Sequence, residues 1–223
     1  MAVVHRTTMS PGKLELLTSW LPTRPWYVPT GSAPELAVAG GFRLDDPDGE
    51  VGIEFMVVTD TSGDRPAAYL VPLTYRGAPL AAPGDGQDTL VGTSEHGVLG
   101  RRWIYDGAGD PVLVVQLLAL LQGRAEPQAQ SRSDAPDPTV TRHGAEDTPA
   151  SPTGPATATD GPDSTGIGVP TDAGLLTLTL TRLLHLSAPD SATDAAQAWI
   201  TAPWRLPDGT EHRAPFASLR VGP

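Results

Sequence analysis

The stretch that decides the fold class lies at residues 35–77 and reads ELAVAGGFRLDDPDGEVGIEFMVVTDTSGDRPAAYLVPLTYRG. Three apolar runs are separated by "DPDG" and "TSGDRP", which are rich in turn-forming residues. Such short turns between strand-like runs are typical of antiparallel hairpins or a meander. Pro72 lies inside the third run and predicts an edge position or a bulge, because proline cannot donate to the hydrogen-bond ladder.

Two helices are predicted on either side of these strands. The first has Ser10 as its N-cap and Pro11 at its first helical position. The second is capped by Asp110 and runs from Pro111 to about Gln122, with a glycine after its end. The fold class is therefore predicted to be α+β, with an antiparallel sheet and two main helices.

The composition changes between residues 124 and 172. This segment is built of Ala, Pro, Ser, Thr, Asp and Gly with almost no large apolar residue. It cannot bury enough apolar surface to offset its ordering entropy, so it is predicted to be a long disordered insertion, although "PTVTRH" within it is compatible with a brief strand. Residues 1–123 would then form the first part of one domain, and residues 173–223 its closing strands. These begin with alternating Leu and Thr from Leu175 to about Leu186 and end in a hairpin.

The overall charge limits the classes of partner. The formal net charge of -11 repels phosphate backbones and anionic lipid, so nucleic acid and membranes are not expected as partners. The absence of cysteine excludes disulfides, thiolate metal sites and cysteine nucleophiles. No signal peptide or membrane-spanning run is visible, and we expect a cytoplasmic protein. Lys13 is the only lysine, so any mechanism that needs a lysine has one candidate.

Motifs for catalysis do not meet their spacing requirements. The Gly12–Lys13 pair lacks the upstream glycine of a phosphate-binding loop. The "GTSEHG" run places its last glycine one residue too late for a nucleophile elbow. The five histidines are scattered, and the paired carboxylates lie in turn-like sequence. We therefore expect no catalytic residue, no metal and no cofactor.

Two stretches offer candidate binding residues. One is "TSEHGVLGRRWIYDG", residues 93–107, and the other is "RPWY", residues 24–27. Arginine beside an aromatic ring can bind a sugar, a phosphate or a carboxylate. The candidate binding residues are Glu95, His96, Arg101, Arg102, Trp26 and Tyr27. These stretches leave open a docking face, a carbohydrate-binding module, or a small enzyme centred on Glu95, His96 and Arg101.

Three stretches carry a resemblance to a known family: "LTSWLPTRPWYV", "YLVPLTYRGAPL" and "TSEHGVLGRRWIYDGAGDPVLVVQLLALLQG". Together they resemble the N-terminal cap domain of bacterial maltokinases, over roughly residues 1–123. A maltokinase phosphorylates maltose with ATP, and its catalytic residues follow the cap. The chain shows neither the lysine–glutamate pair, the catalytic loop nor the metal-binding motif of a kinase.

The resemblance implies a stand-alone, non-catalytic cap-like module of maltose, trehalose or glycogen metabolism. Its expected partner is a sugar kinase or a glucan-metabolising enzyme, with carbohydrate as the alternative.

Overall fold

The computed structural model describes residues 8–80, 89–132, 134–144, 150–185 and 196–221. These residues form mostly antiparallel β-sheet with two short α-helices. In chain order the elements are β1 (Met9–Ser10), α1 (Lys13–Trp20), β2 (Leu36–Leu44), β3 (Gly52–Asp60), β4 (Ala67–Arg76), β5 (Leu90–His96), β6 (Gly100–Asp106), α2 (Pro111–Leu121), β7 (Gln128–Ala129), β8 (Thr141–Gly144), β9 (Thr157–Asp160), β10 (Ser164–Thr171), β11 (Gly174–Thr181), β12 (Leu183–Leu184), β13 (Ala198–Arg205) and β14 (Glu211–Val221).

The described strands form one sheet, in the order β1-β5-β6-β4-β3-β2-β13-β14-β11-β10-β9. The short strands β12, β7 and β8 pair with β4, β2 and β13. A single pair, Gly40 with Trp204, joins β2 to β13. The strands before residue 110 and the strands after residue 150 therefore belong to the same sheet, and the hairpin β13–β14 appears where the sequence predicts it.

Alternation along β3 divides the sheet into two faces. Phe55 and Val57 belong to the hydrophobic cluster that contains α2, and we call their side the α2 face. Met56 and Val58 belong to the cluster that contains α1, and we call their side the α1 face.

The helix α2 lies inside the larger hydrophobic cluster. Seven of its eleven residues are buried, including five consecutive ones from residue 117 to residue 121, so the helix is enclosed on all sides at its end. The predicted N-cap is confirmed, because Asp110 Oδ1 accepts the N–H of Val112 at 2.9 Å. The helix ends before Gly123, whose φ of 73° is the left-handed conformation that glycine adopts at helix ends.

The first helix begins two residues later than the sequence predicts. Ser10 is extended and pairs with Glu95 of β5, so it is not the N-cap. Gly12 is the N-cap, and its N–H donates to Glu15 Oε2 at 3.3 Å while its carbonyl accepts from Leu16. Strand pairing by Ser10 has displaced the helix start.

The strand β4 is an interior strand, so the edge position expected from Pro72 is wrong for the strand as a whole. On one side Pro72 pairs with Phe55 of β3. On the other side β6 pairs with residues 73–76, and β12 pairs with residues 68–69. Pro72 lies between these two partners, where no ladder is formed among the described residues.

The long disordered insertion is not confirmed. The described residues between 124 and 172 include β7, β8, β9 and β10. Strand β10 pairs with β9 on one side and β11 on the other, which satisfies its backbone, and it buries Ile167 and Val169 in alternation. The leucines of β11 supply the apolar surface that this segment lacks, so its own polar composition is misleading. The "PTVTRH" run does contain a strand, β8.

Arg182 interrupts the strand predicted from Leu175 to about Leu186, whose end lies outside the described residues. The side chain is fully buried, and Nη2 donates to both carboxylate oxygens of Asp106 at 2.8 and 2.7 Å. Its Nε donates to Thr165 Oγ1 at 2.7 Å, and its guanidinium carbon lies 5.0 Å from the ring centre of Trp26. This ion pair connects residues of the first strands to the closing strands.

Candidate functional site

A cavity of about 1040 Å³ lies on the α1 face, beside the N-terminal end of α1. This volume lies just above the range of about 300–1,000 Å³ that small-molecule sites occupy. Strands β2, β3, β4 and β6 contribute one wall, and the start of α1 contributes another. The polar side chains that line it are Lys13, Arg43, Asp46, Glu50, Glu54, Tyr75, Arg76, His96, Arg102 and Gln130.

Glu54 is the centre of a hydrogen-bonded cluster in the cavity wall. Its carboxylate accepts Lys13 Nζ at 2.6 and 2.9 Å, the Tyr75 hydroxyl at 2.5 Å and Gln130 Nε2 at 2.8 Å. The Lys13 ammonium also lies 5.5 Å from the centre of the Tyr75 ring. These four contacts occupy the acceptor sites of the carboxylate, so Glu54 holds the wall together and has no lone pair left for a reacting proton.

The cluster keeps fixed protonation states. Burial raises the pKa of Glu54, but the Lys13 charge and the hydrogen bonds from Lys13, Tyr75 and Gln130 outweigh it and leave that pKa below its usual value. Burial, and then the charge and hydrogen bond of Glu54, raise the pKa of Tyr75 well above its usual value. At neutral pH the pair is therefore a carboxylate and a neutral phenol.

A second ion pair joins the cavity to α2. Arg76 donates from Nε and Nη2 to the two carboxylate oxygens of Asp110 at 2.7 and 2.6 Å. The Thr74 hydroxyl donates to the same carboxylate at 2.7 Å. Since Asp110 also caps α2, the charge of Arg76 is matched by a carboxylate that is held in place by the fold.

Arg102 differs from these two cations. It reaches the cavity from β6, and its Nη2 donates to the carbonyl of Leu99 at 2.8 Å. Among the described residues it forms no ion pair, and its Nε is buried without a hydrogen-bond partner. Gly77 leaves room for it, because a Cβ at that residue would lie 2.8 Å from Arg102 Nη1.

The structure divides the candidate binding residues of the β5–β6 hairpin into two groups. His96 and Arg102 line the cavity. Glu95 and Arg101 form an ion pair at 2.8 Å on the outer side, with side chains 59% and 62% exposed. Alternation along each strand sends neighbouring side chains to opposite faces. A small enzyme centred on Glu95, His96 and Arg101 requires all three side chains in one pocket, and the structure does not bring them together.

Trp26 and Tyr27 lie in the core and not at a binding surface. Trp26 is 1% exposed and packs edge-on against Trp20, with ring centres 5.8 Å apart. The Tyr27 hydroxyl donates to Asp60 Oδ2 at 3.1 Å. The chain after α1 folds back onto the α1 face, which buries both rings and corrects the expectation that they bind a ligand. The carbohydrate alternative loses these two stacking surfaces.

The Glu54 cluster was not predicted from the sequence. A glutamate inside the apolar run "IEFMVV" is a signal that could have been noticed, because a buried carboxylate requires partners. Its partners could not have been found in the same way, since Gln130 is 76 residues away.

Within the described ranges, no three His, Cys, Asp or Glu residues are grouped so that they could hold a metal ion. None of the helices there is long and apolar enough to cross a membrane.

Two comparisons with known proteins bear on this chain. No curated protein matches it. A family match covers residues 20–110, which include β2 to β6 and end at the residue that caps α2. The matched range lies within residues 1–123, where the sequence shows its resemblance. Residues 20–110 match the maltokinase N-terminal cap domain family, which confirms that resemblance.

Proposed function

We propose that this chain is a non-catalytic, maltokinase-cap-like module of maltose, trehalose or glycogen metabolism that docks on a sugar kinase or a glucan-metabolising enzyme. The observation that supports this proposal is the family match over residues 20–110. The net charge of -11 favours a protein partner over nucleic acid or anionic lipid. The lack of cysteine agrees with a cytoplasmic setting.

The tip of the β5–β6 hairpin is the docking surface that we propose. Val98 and Leu99 lie at the tip and are 62% and 46% exposed. The ion pair of Glu95 and Arg101 flanks them. An apolar centre with a polar rim is the usual anatomy of a protein interface. The hairpin lies within the matched range, so the surface and the family match belong to the same part of the chain.

The test compares three baits in parallel against native lysate, with mass spectrometry of the retained proteins. The baits are the wild type, Val98→Asp, and the control Leu175→Asp, which changes a comparably exposed residue on β11. We expect the wild type and the control to retain a sugar kinase or glucan enzyme in stoichiometric amount, and Val98→Asp to lose it. With the purified partner, Val98→Asp should weaken binding at least about 10-fold.

Two results would contradict the proposal. Equal retention by Val98→Asp would remove the hairpin tip as the docking surface, and retention of the bait alone by all three would remove the docking role. Sugar phosphorylation from ATP by the purified chain would contradict the non-catalytic assignment.

A further inference from the structure

We propose that the cavity on the α1 face binds a small polar molecule through an anionic group, a phosphate or a carboxylate, with Arg102 as its main charge partner. This inference does not depend on the docking role: Leu99 belongs to both surfaces, but Val98, the residue that the docking test changes, does not line the cavity.

The charge of the cavity wall differs from the charge of the chain. Four cationic side chains line the cavity, Lys13, Arg43, Arg76 and Arg102, against three carboxylates. The chain as a whole has a formal charge of -11. Asp110 lies outside the lining but pairs with Arg76, so four carboxylates match the four cations and the wall is close to neutral within a strongly acidic chain. A cation of this wall that lacks a carboxylate partner attracts an anion, because the low-dielectric walls of a concave surface focus its field.

The carboxylate of Asp46 is occupied by the backbone. It accepts the N–H groups of Asp48, Glu50 and Val51 at 3.1, 3.0 and 2.9 Å. These contacts stabilise the turn between β2 and β3 and reduce the ability of Asp46 to repel an anion in the cavity.

Two of the four cations have carboxylate partners and Arg43 donates Nη2 to the carbonyl of Arg132 at 3.3 Å, so Arg102 is the cation that we assign to a ligand. Lys13 is paired with Glu54, and Arg76 is paired with Asp110. Arg102 has no carboxylate partner among the described residues, and its Nε has no acceptor. A buried donor without an acceptor costs about 1–3 kcal/mol, so structures usually provide one.

A guanidinium recognises a phosphate or carboxylate through two parallel N–H donors. The Nη2 of Arg102 is used by the Leu99 carbonyl, whereas Nη1 lies against Gly77, in the space where another residue would carry its side chain. After a small rotation of the side chain, a ligand oxygen would provide the acceptor that Nε lacks.

The size of the cavity indicates more than an inorganic ion. A volume of about 1040 Å³ accommodates an organic molecule of hexose size or larger. Met9, Val51 and Leu99 provide apolar surface beside the charged groups. This mixture suits a polar organic molecule that carries one anionic group.

Arg101 provides a matched control. It is the same residue type at the adjacent position, but it lies on the outer side of the hairpin and is paired with Glu95. A general electrostatic effect would respond to both arginines, whereas binding in the cavity should respond to Arg102 alone.

The experiment is calorimetric titration of the full chain with glucose 6-phosphate, glucuronate, inorganic phosphate and glucose. We expect saturable 1:1 binding of glucose 6-phosphate or glucuronate and none of glucose. The stronger of the two anions identifies phosphate or carboxylate as the recognised group. Arg102→Gln should weaken binding at least about 10-fold, and Arg101→Gln should change it less than about 2-fold.

No saturable binding of either anion, equal binding of glucose, or equal effects of the two variants would overturn the proposal. If Arg102→Gln does not fold, the wild-type amide signals of Gly77 and Leu99 decide the question. They should shift with the anion and not with glucose, and the absence of that difference would also overturn it.

Discussion

Replacing Arg182 with methionine should destabilise the protein by about 3–5 kcal/mol, because it leaves a buried carboxylate without its cation. Arg182 is fully buried, and the Asp106 side chain is 5% exposed. Methionine keeps most of the volume of the side chain but removes the donors to Asp106 and Thr165. In a chain of this size, 1 kcal/mol corresponds to about 2–4 °C, so the unfolding temperature should fall by about 6–20 °C.

Urea unfolding, followed by circular dichroism and by tryptophan fluorescence, measures this loss. Trp26 lies against Arg182 and therefore reports the local change. Arg205→Met is the control, since Arg205 forms an exposed ion pair with Glu211, and it should cost less than about 1 kcal/mol.

The double variant Arg182→Met/Asp106→Asn completes the cycle. Asparagine removes the charge of Asp106 but keeps an acceptor for the N–H of Ala108, so the double variant should lose less stability than the two single losses combined. Strict additivity, or a cost for Arg182→Met no larger than that of the Arg205 control, would refute the reasoning.

Two further predictions concern the α1 face and the β2–β3 ladder. Lys13→Met removes the charge that lowers the pKa of Glu54, so its stability deficit should be about 1–3 kcal/mol at pH 7 and should shrink below pH 4.5. The ordinary pKa of a glutamate is 4.5, and the pKa of Glu54 in the folded protein is lower. The stabilisation is therefore fully present above pH 4.5 and is lost as the pH falls through the folded-state pKa. Urea unfolding at several pH values measures the deficit, and a deficit that grows in acid would contradict this reasoning. Gly41→Ala should lower the free energy of unfolding by about 3 kcal/mol or more, because φ at Gly41 is 136° and the added Cβ would lie 2.1 Å from the backbone oxygen of Phe55. In the control Gly166→Ala, the added Cβ would have no neighbouring atom closer than 4.0 Å, so its stability should be nearly unchanged. Thermal unfolding of both variants measures the difference.

The elements that the sequence predicts well are those determined by local chemistry. Asp110 and Gly123 mark the ends of α2, and the turn "PDGT" marks the hairpin β13–β14. The strands β2, β3 and β4 are mostly apolar runs between turn residues. In each case the residues that decide the element lie within the element or directly beside it.

The elements that the sequence misjudges depend on distant partners. Strand β10 is held by its neighbours, so its own composition indicates disorder although it is ordered. The two buried ion networks could not be predicted either, because their members are far apart in the sequence. Arg182 is 76 residues from Asp106, and Gln130 is 76 residues from Glu54. No local pattern in a single sequence encodes such pairs.

Two of the candidate binding residues lie in the cavity. His96 and Arg102 were selected from the sequence, and both line the cavity. Their neighbours Glu95 and Arg101 were selected with them, because the stretch 93–107 was chosen for its charged and aromatic residues and not for the face on which each side chain lies. Because β5 is extended, the side chains of His96 and Glu95 point to opposite faces. The missing information was which residues of β5 face the cavity.

The enclosure of α2 determines where the chain can be divided. The matched range ends at residue 110, one residue before the helix that fills the larger hydrophobic cluster. A fragment cut at that point would leave Phe42, Phe55 and Leu70 facing water, since the helix and the closing strands cover them in the whole chain. Such a fragment would be expected to aggregate, whereas a chain that extends through β14 keeps its apolar interior covered. The boundary of sequence similarity and the boundary of the folding unit are therefore different, and protein for binding studies should follow the second.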